Sequence, residues 1–161
     1  MKTLNVLLGC SERRVSNPIE VLLHDICFNY AAVNCITAAR IDEFMHKGSM
    51  QNLDLIVAVV DHLLPVPGRR FTQLEEVLST LQTIRSRVTT PILVVGNLND
   101  EVRFMEAGAE AVIGFPFQAE RLRETVRQIL RIPEPVQPAE ANPTSSGNFW
   151  WKRLQKLVTA S

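Results

Sequence analysis

The sequence has no excess of either charge: 17 basic and 17 acidic side chains cancel over 161 residues. That argues against a protein that grips nucleic acid through bulk charge. It has only three cysteines, Cys10, Cys27 and Cys35, and none shares a metal-type C-x-x-C spacing with another. An odd cysteine count fits a reducing compartment, so a cytoplasmic location is expected. Long apolar runs are missing too. The N-terminal run in "MKTLNVLLGCSERR" is too short for a secretory h-region. No segment approaches the roughly 20 apolar residues of a membrane span, and no long internal repeat is present. Hydrophobic residues nonetheless make up 46% of the chain, enough to build a full core.

Apolar runs alternate with helical patterns. "LNVLLG" (4–9) reads as a buried strand. "SNPIEVLLHDICFNY" (16–30) reads as a helix capped by Asn17, with Pro18 in its first turn and Glu20 completing a capping box. "AVNCITAA" (32–39) is a second strand and "IDEFMHKG" (41–48) a short helix stopped by Gly48. "LDLIVAVV" (53–60) is the most apolar segment and reads as the central strand, covered on both faces. Thr72 and Glu75 open a boxed helix over 73–88. A strand at 90–97, a helix at 100–109, a strand at 111–115 and a helix at 118–131 follow. Five strand-then-helix units imply an α/β fold, a parallel sheet with helices on both faces.

After Arg131 the composition changes. Residues 132–148 hold four prolines and read as a semi-extended linker. Residues 149–161, "FWWKRLQKLVTAS", read as a short basic amphipathic helix. Phe149, Trp150, Trp151, Leu154 and Leu157 are its candidate interaction residues. This helix is expected to fold back on its own domain, to dock in a partner's groove, or to lie at a membrane surface.

Residues 3 to 131 resemble a response-regulator receiver domain. The likeness rests on "FMEAGAEAVIGFPFQAERLRETVRQIL", "PILVVGN" and the Asp-x-x-x-Pro turn in "DHLLPVPG". It implies a doubly wound five-stranded parallel sheet, order 2-1-3-4-5. It also implies a phosphoacceptor pocket, and there the chain departs from the family. Cys10 and Ser11 stand at the acid-pair positions, leaving Glu12 as the lone acid. A thiol and a hydroxyl are poor ligands for Mg²⁺. Asp61 matches the acceptor if Pro65 anchors the comparison, whereas counting from Asp54 reaches Val59. Gly96 replaces the family's hydroxyl residue, and Phe115 its lysine. A phenyl ring disfavours a nearby dianion.

The chain therefore resembles a degenerate pseudo-receiver, a non-enzymatic adaptor that meets another signalling protein without aspartyl phosphorylation. Neither a cofactor nor a resident metal is assigned to it. The resemblance points to the face of the fourth helix, fifth strand and fifth helix as the docking surface, with Arg103, Phe104 and residues near Phe115 and Phe117 on it. A homodimer through that face is a further expectation. Nucleic acid is not expected, since no winged or helix-turn-helix region follows. Two alternatives stay open: a phosphorylatable regulator with Asp61 as acceptor, and a redox sensor or enzyme built on Cys10 at a strand-to-helix turn. His62 reads either as a loop residue or as a base or metal ligand. Arg69, Arg70 and Phe71 read either as a surface elongation or as a partner contact.

Overall fold

The computed structural model describes residues 2–68 and 72–133. The linker expected beyond Pro133, the helix expected at 149–161 with Phe149, Trp150, Trp151, Leu154 and Leu157, and Arg69–Phe71 lie outside the described residues. The elements follow strictly as strand then helix. They are β1 (Lys2–Gly9), α1 (Arg13–Ile26), β2 (Ala31–Ala38), α2 (Ile41–Gly48) and β3 (Leu55–Val59), then α3 (Gln73–Arg87), β4 (Ile92–Gly96), α4 (Glu101–Glu106), β5 (Ala111–Gly114) and α5 (Ala119–Leu130). All strands are parallel, in the order β2-β1-β3-β4-β5. The doubly wound sheet expected from the sequence is the one found. No described helix is long and apolar enough to cross a membrane.

The continuous apolar runs have a simple cause. Successive side chains on a strand point to opposite faces, and here both faces are covered. Leu4, Val6 and Leu8 of β1, with Leu55, Val57 and Val59 of β3, meet Ile19 and Leu23 of α1 and Leu122 and Val126 of α5. Their neighbours Leu7, Ile56, Ala58, Ile92 and Val94 meet Phe44 of α2, Leu81 and Ile84 of α3 and Phe104 of α4. The sheet thus separates two cores, with α1 and α5 on one side and α2, α3 and α4 on the other.

Local chemistry sets most boundaries. Thr72 caps α3 in a full capping box with Glu75, as expected. α2 spans the expected residues. α1 differs: it begins at Arg13, not near Asn17, and the N-cap is Glu12 with no side-chain hydrogen bond. The amides of Val15 and Ser16 both donate to the Glu12 carbonyl, which starts the helix a turn early. Pro18 therefore lies inside the helix, where it forgoes one backbone bond. Burial of Ser16 and Ile19 on the same helix face accompanies that upstream turn. α5 ends with Arg131 in the left-handed region (φ 54°), and the Ile132 amide donates to the Arg127 carbonyl. This is a Schellman arrangement, with Ile132 buried against the α1/α5 core as its apolar contact.

Candidate functional site at the carboxyl end of the sheet

In a doubly wound sheet, ligands gather outside the carboxyl ends of the strands where the strand order reverses. Here that point lies between β1 and β3, and apolar side chains and main-chain bonds occupy it. β1 ends at Gly9. A Cβ built there would stand 2.5 Å from Cδ2 of Phe44, so the Phe44 ring fills the space a side chain would use. The loop after β3 is drawn across the same end. The Ser11 amide donates to the His62 carbonyl (2.6 Å), and the Cys10 amide to the Ala38 carbonyl (2.9 Å). Leu64 joins the β2–α2 segment: its amide donates to Ala39 and its carbonyl accepts from Ile41, both at 2.9 Å.

Asp61 lies just past the end of β3. β3 ends at Val59, and Val60–His62 form a 3-10 helical turn. Val59 is paired with Val95, and Val60 continues beside Gly96. The Cγ2 of Val60 lies 3.3 Å from where a Cβ on Gly96 would be. The residue next to Gly96 is therefore buried Val60, neither Asp61 nor Val59, and Asp61 is exposed one step beyond. Asp61 borders a small cleft of about 140 Å³ with Val60, Gln73, Asn97 and Asp100. The Gln73 side-chain amide closes its floor by donating to the carbonyls of Val60 (2.7 Å) and Leu63 (2.8 Å).

On the other side, Gly96 pairs with Gly114, and Phe115 follows with its amide donating to the Gly96 carbonyl (3.1 Å). Phe115 precedes a cis proline peptide. Its ring meets the His62 ring edge-on, with centroids 5.3 Å apart and an interplanar angle of 66°. His62 thus packs on an aromatic neighbour. Among the described residues, no three carboxylate, imidazole or thiol groups converge at this end of the sheet. Asp61 and Asp100 are the carboxylates that border the small cleft at this end.

Cys10 is buried, and its thiol donates to the Glu12 carbonyl at 3.4 Å. Burial pushes its pKa up, outweighing the lowering by that hydrogen bond. An activated thiol needs the opposite shift. Ser11 and Glu12 are exposed at the start of α1.

Phe104, expected on the docking face, is buried to 1% exposure in the core beneath α4. The reason is helical phase: Phe104 shares the inward side with buried Ala107, whereas Val102, Arg103 and Met105 face outward. Phe117 is half-buried against the α1/α5 core. The exposed apolar residues of this region are Leu98, Val102, Met105 and Phe115. Leu98 packs over Gly114, where a Cβ would come within 3.1 Å of it, and so lies beside the β5 end that leads into Phe115. The sequence reading missed Leu98, Val102 and Met105. Their spacing around inward Phe104 was the available signal.

No protein-family model matches the sequence, and no curated protein matches it significantly. Solved structures do match in three dimensions. A two-component response regulator from Clostridium difficile superposes with a TM-score of 0.61 at 16% identity, covering 82% of this chain and 99% of that one. The chain has the fold of a response-regulator receiver domain. The receiver domain of NtrX from Brucella abortus matches with a TM-score of 0.59 at 20% identity, over 80% of this chain and 99% of that one. The receiver domain of the sensor histidine kinase PA1611 from Pseudomonas aeruginosa PAO1, solved with magnesium in its active-site cleft, matches with a TM-score of 0.61 at 16% identity, over 80% of this chain and 98% of that one.

Proposed function

We propose that this receiver-fold protein is a non-enzymatic signalling adaptor of the cytoplasm, working by protein–protein contact and not by aspartyl phosphorylation. One observation carries the reading: the positions around the sheet's carboxyl end are taken by Phe44, Val60 and Phe115, with glycine at 9 and 96. A phosphoryl group there would need cations and hard oxygen ligands. It would instead meet an aromatic pair and a valine. The same region offers an exposed apolar surface of Leu98, Val102, Met105 and Phe115 flanked by Arg103, which supports docking of another signalling protein. The basic, tryptophan-bearing segment at 149–161 would supply a second contact, to protein or to a membrane surface.

The test is incubation of the full chain with acetyl phosphate and Mg²⁺, followed by intact mass measurement. The expected mass is unchanged. A phosphoryl adduct that Asp61→Asn removes would overturn the adaptor reading in favour of a phosphorylatable regulator.

A further inference from the structure

The side of α1 that faces β2 carries a group of donor atoms that the sheet-end site does not use. Glu20 and His24 are four residues apart on α1, so they rise on one side of the helix a turn apart. Cys35 lies on β2 in register with Val6 of β1, and its side chain is half-buried against the core beneath α1. A carboxylate oxygen, an imidazole nitrogen and the thiol sulfur of these residues all lie within 4.8 Å of one another. We propose that Glu20, His24 and Cys35 form a binding site for a divalent cation of the zinc class.

The donor set selects the ion. Zinc takes nitrogen, sulfur and oxygen together, at about 2.0–2.3 Å. A tetrahedron of that size sets its donors roughly 3.5 Å apart, so a closure of about 1 Å brings all three onto one ion. Half-buried Glu20 and exposed His24 have room to rotate into that geometry. The fourth position is left to water. Mg²⁺ and Ca²⁺ prefer oxygen ligands alone and are disfavoured.

Charge points the same way. Glu20 makes no ion pair among the described residues. Its carboxylate lies beside the half-buried Cys35 sulfur, with no cation among the described residues paired to it. A bound cation supplies the missing positive charge, and the thiol proton passes to the buffer as sulfur coordinates. His24 is exposed, which leaves the group open to solvent on that side. Once seated, the ion clasps α1 to the edge strand.

The experiment uses the full chain, freed of metal by a chelator and titrated with Co²⁺ and then Zn²⁺. The expected result is one Co²⁺ per chain, with a thiolate-to-cobalt charge-transfer band that Zn²⁺ displaces. Cys35→Ser abolishes the band, while Cys10→Ser and Cys27→Ser keep it. Glu20→Gln and His24→Gln each weaken Zn²⁺ binding by at least about tenfold in competition with a chromogenic chelator. Far-UV circular dichroism of each variant verifies that it is folded. A cobalt spectrum without a thiolate band, a band that survives Cys35→Ser, or Zn²⁺ affinity unchanged in both helix variants overturns the proposal.

Discussion

Gly9→Ala probes how completely Phe44 has filled the end of β1. The new methyl would stand 2.5 Å from Cδ2 and 2.7 Å from Cε2 of Phe44, and 3.2 Å from Cδ2 of Leu63. Phe44 and Leu63 are 0% and 1% exposed, so neither can yield outward. Ordinary contact requires the ring to shift by nearly 1 Å within a close-packed core. Overpacking of this kind costs about 1–3 kcal/mol. Alanine's smaller unfolded-state freedom offsets about 0.4–1 kcal/mol of that, leaving a net loss centred on about 1 kcal/mol. Phe44→Leu alone opens a void and destabilises by about 1–3 kcal/mol. In the double variant the smaller side chain accommodates the methyl, so the combined loss falls short of additivity by about 1 kcal/mol or more. Urea denaturation of the four proteins, with matching m-values, gives these differences. Unchanged stability in Gly9→Ala, or strict additivity in the double variant, would refute the idea that Phe44 occupies this place.

Three further outcomes are expected. Gln73→Ala strips the carbonyls of Val60 and Leu63 of their shared donor. It costs about 1–3 kcal/mol and speeds hydrogen exchange at the Ser11 and Leu64 amides, which the 61–64 loop protects; unchanged exchange would count against the pinning role. For Cys10, burial raises the thiol above its ordinary value of 9.0. The thiolate fraction of the native protein then grows only as pH climbs past that value. In a Cys27→Ser, Cys35→Ser background, alkylation is expected to be slower in the native state than in urea. A native rate profile with a midpoint below the ordinary thiol value would revive Cys10 as a reactive centre. Arg131→Gly relieves a left-handed backbone at φ 54° and raises stability by about 0.5–1 kcal/mol, read as a higher Tm; a lower Tm would show that the arginine side chain outweighs the backbone.

Most of the architecture was legible because it is written locally. Five apolar runs separated by helical periods sufficed for a parallel sheet, and Thr72 with Glu75 announced the start of α3 within four residues. Asn17-Pro18 misled because the same signal suits a helix start and a tolerated interior proline near an N-terminus. The candidate site was harder. That Cys10, Gly96 and Phe115 carry neither a carboxylate nor a cation is visible in the residue types alone. That Val60 stands beside Gly96 depends on strand register, which no short window of sequence contains. Phe104 was misplaced because α4 is only six residues long, and a one-residue error in phase turns its face around. The grouping of Glu20, His24 and Cys35 was half visible, in the four-residue helix spacing; its third member comes from a separate strand.

The fastening of the loop after β3 bears on how such a chain is recognised at all. Ser11, Leu64 and Ile41 hold it through amides and carbonyls, atoms that every residue but proline possesses in full. Side chains at Ser11, Ile41 and Leu64 can therefore be exchanged without breaking these bonds, whereas Gln73 holds the loop through its own side chain. A rim fastened this way keeps its outline under substitution at those positions, in keeping with a fold that matches in shape at 16–20% identity.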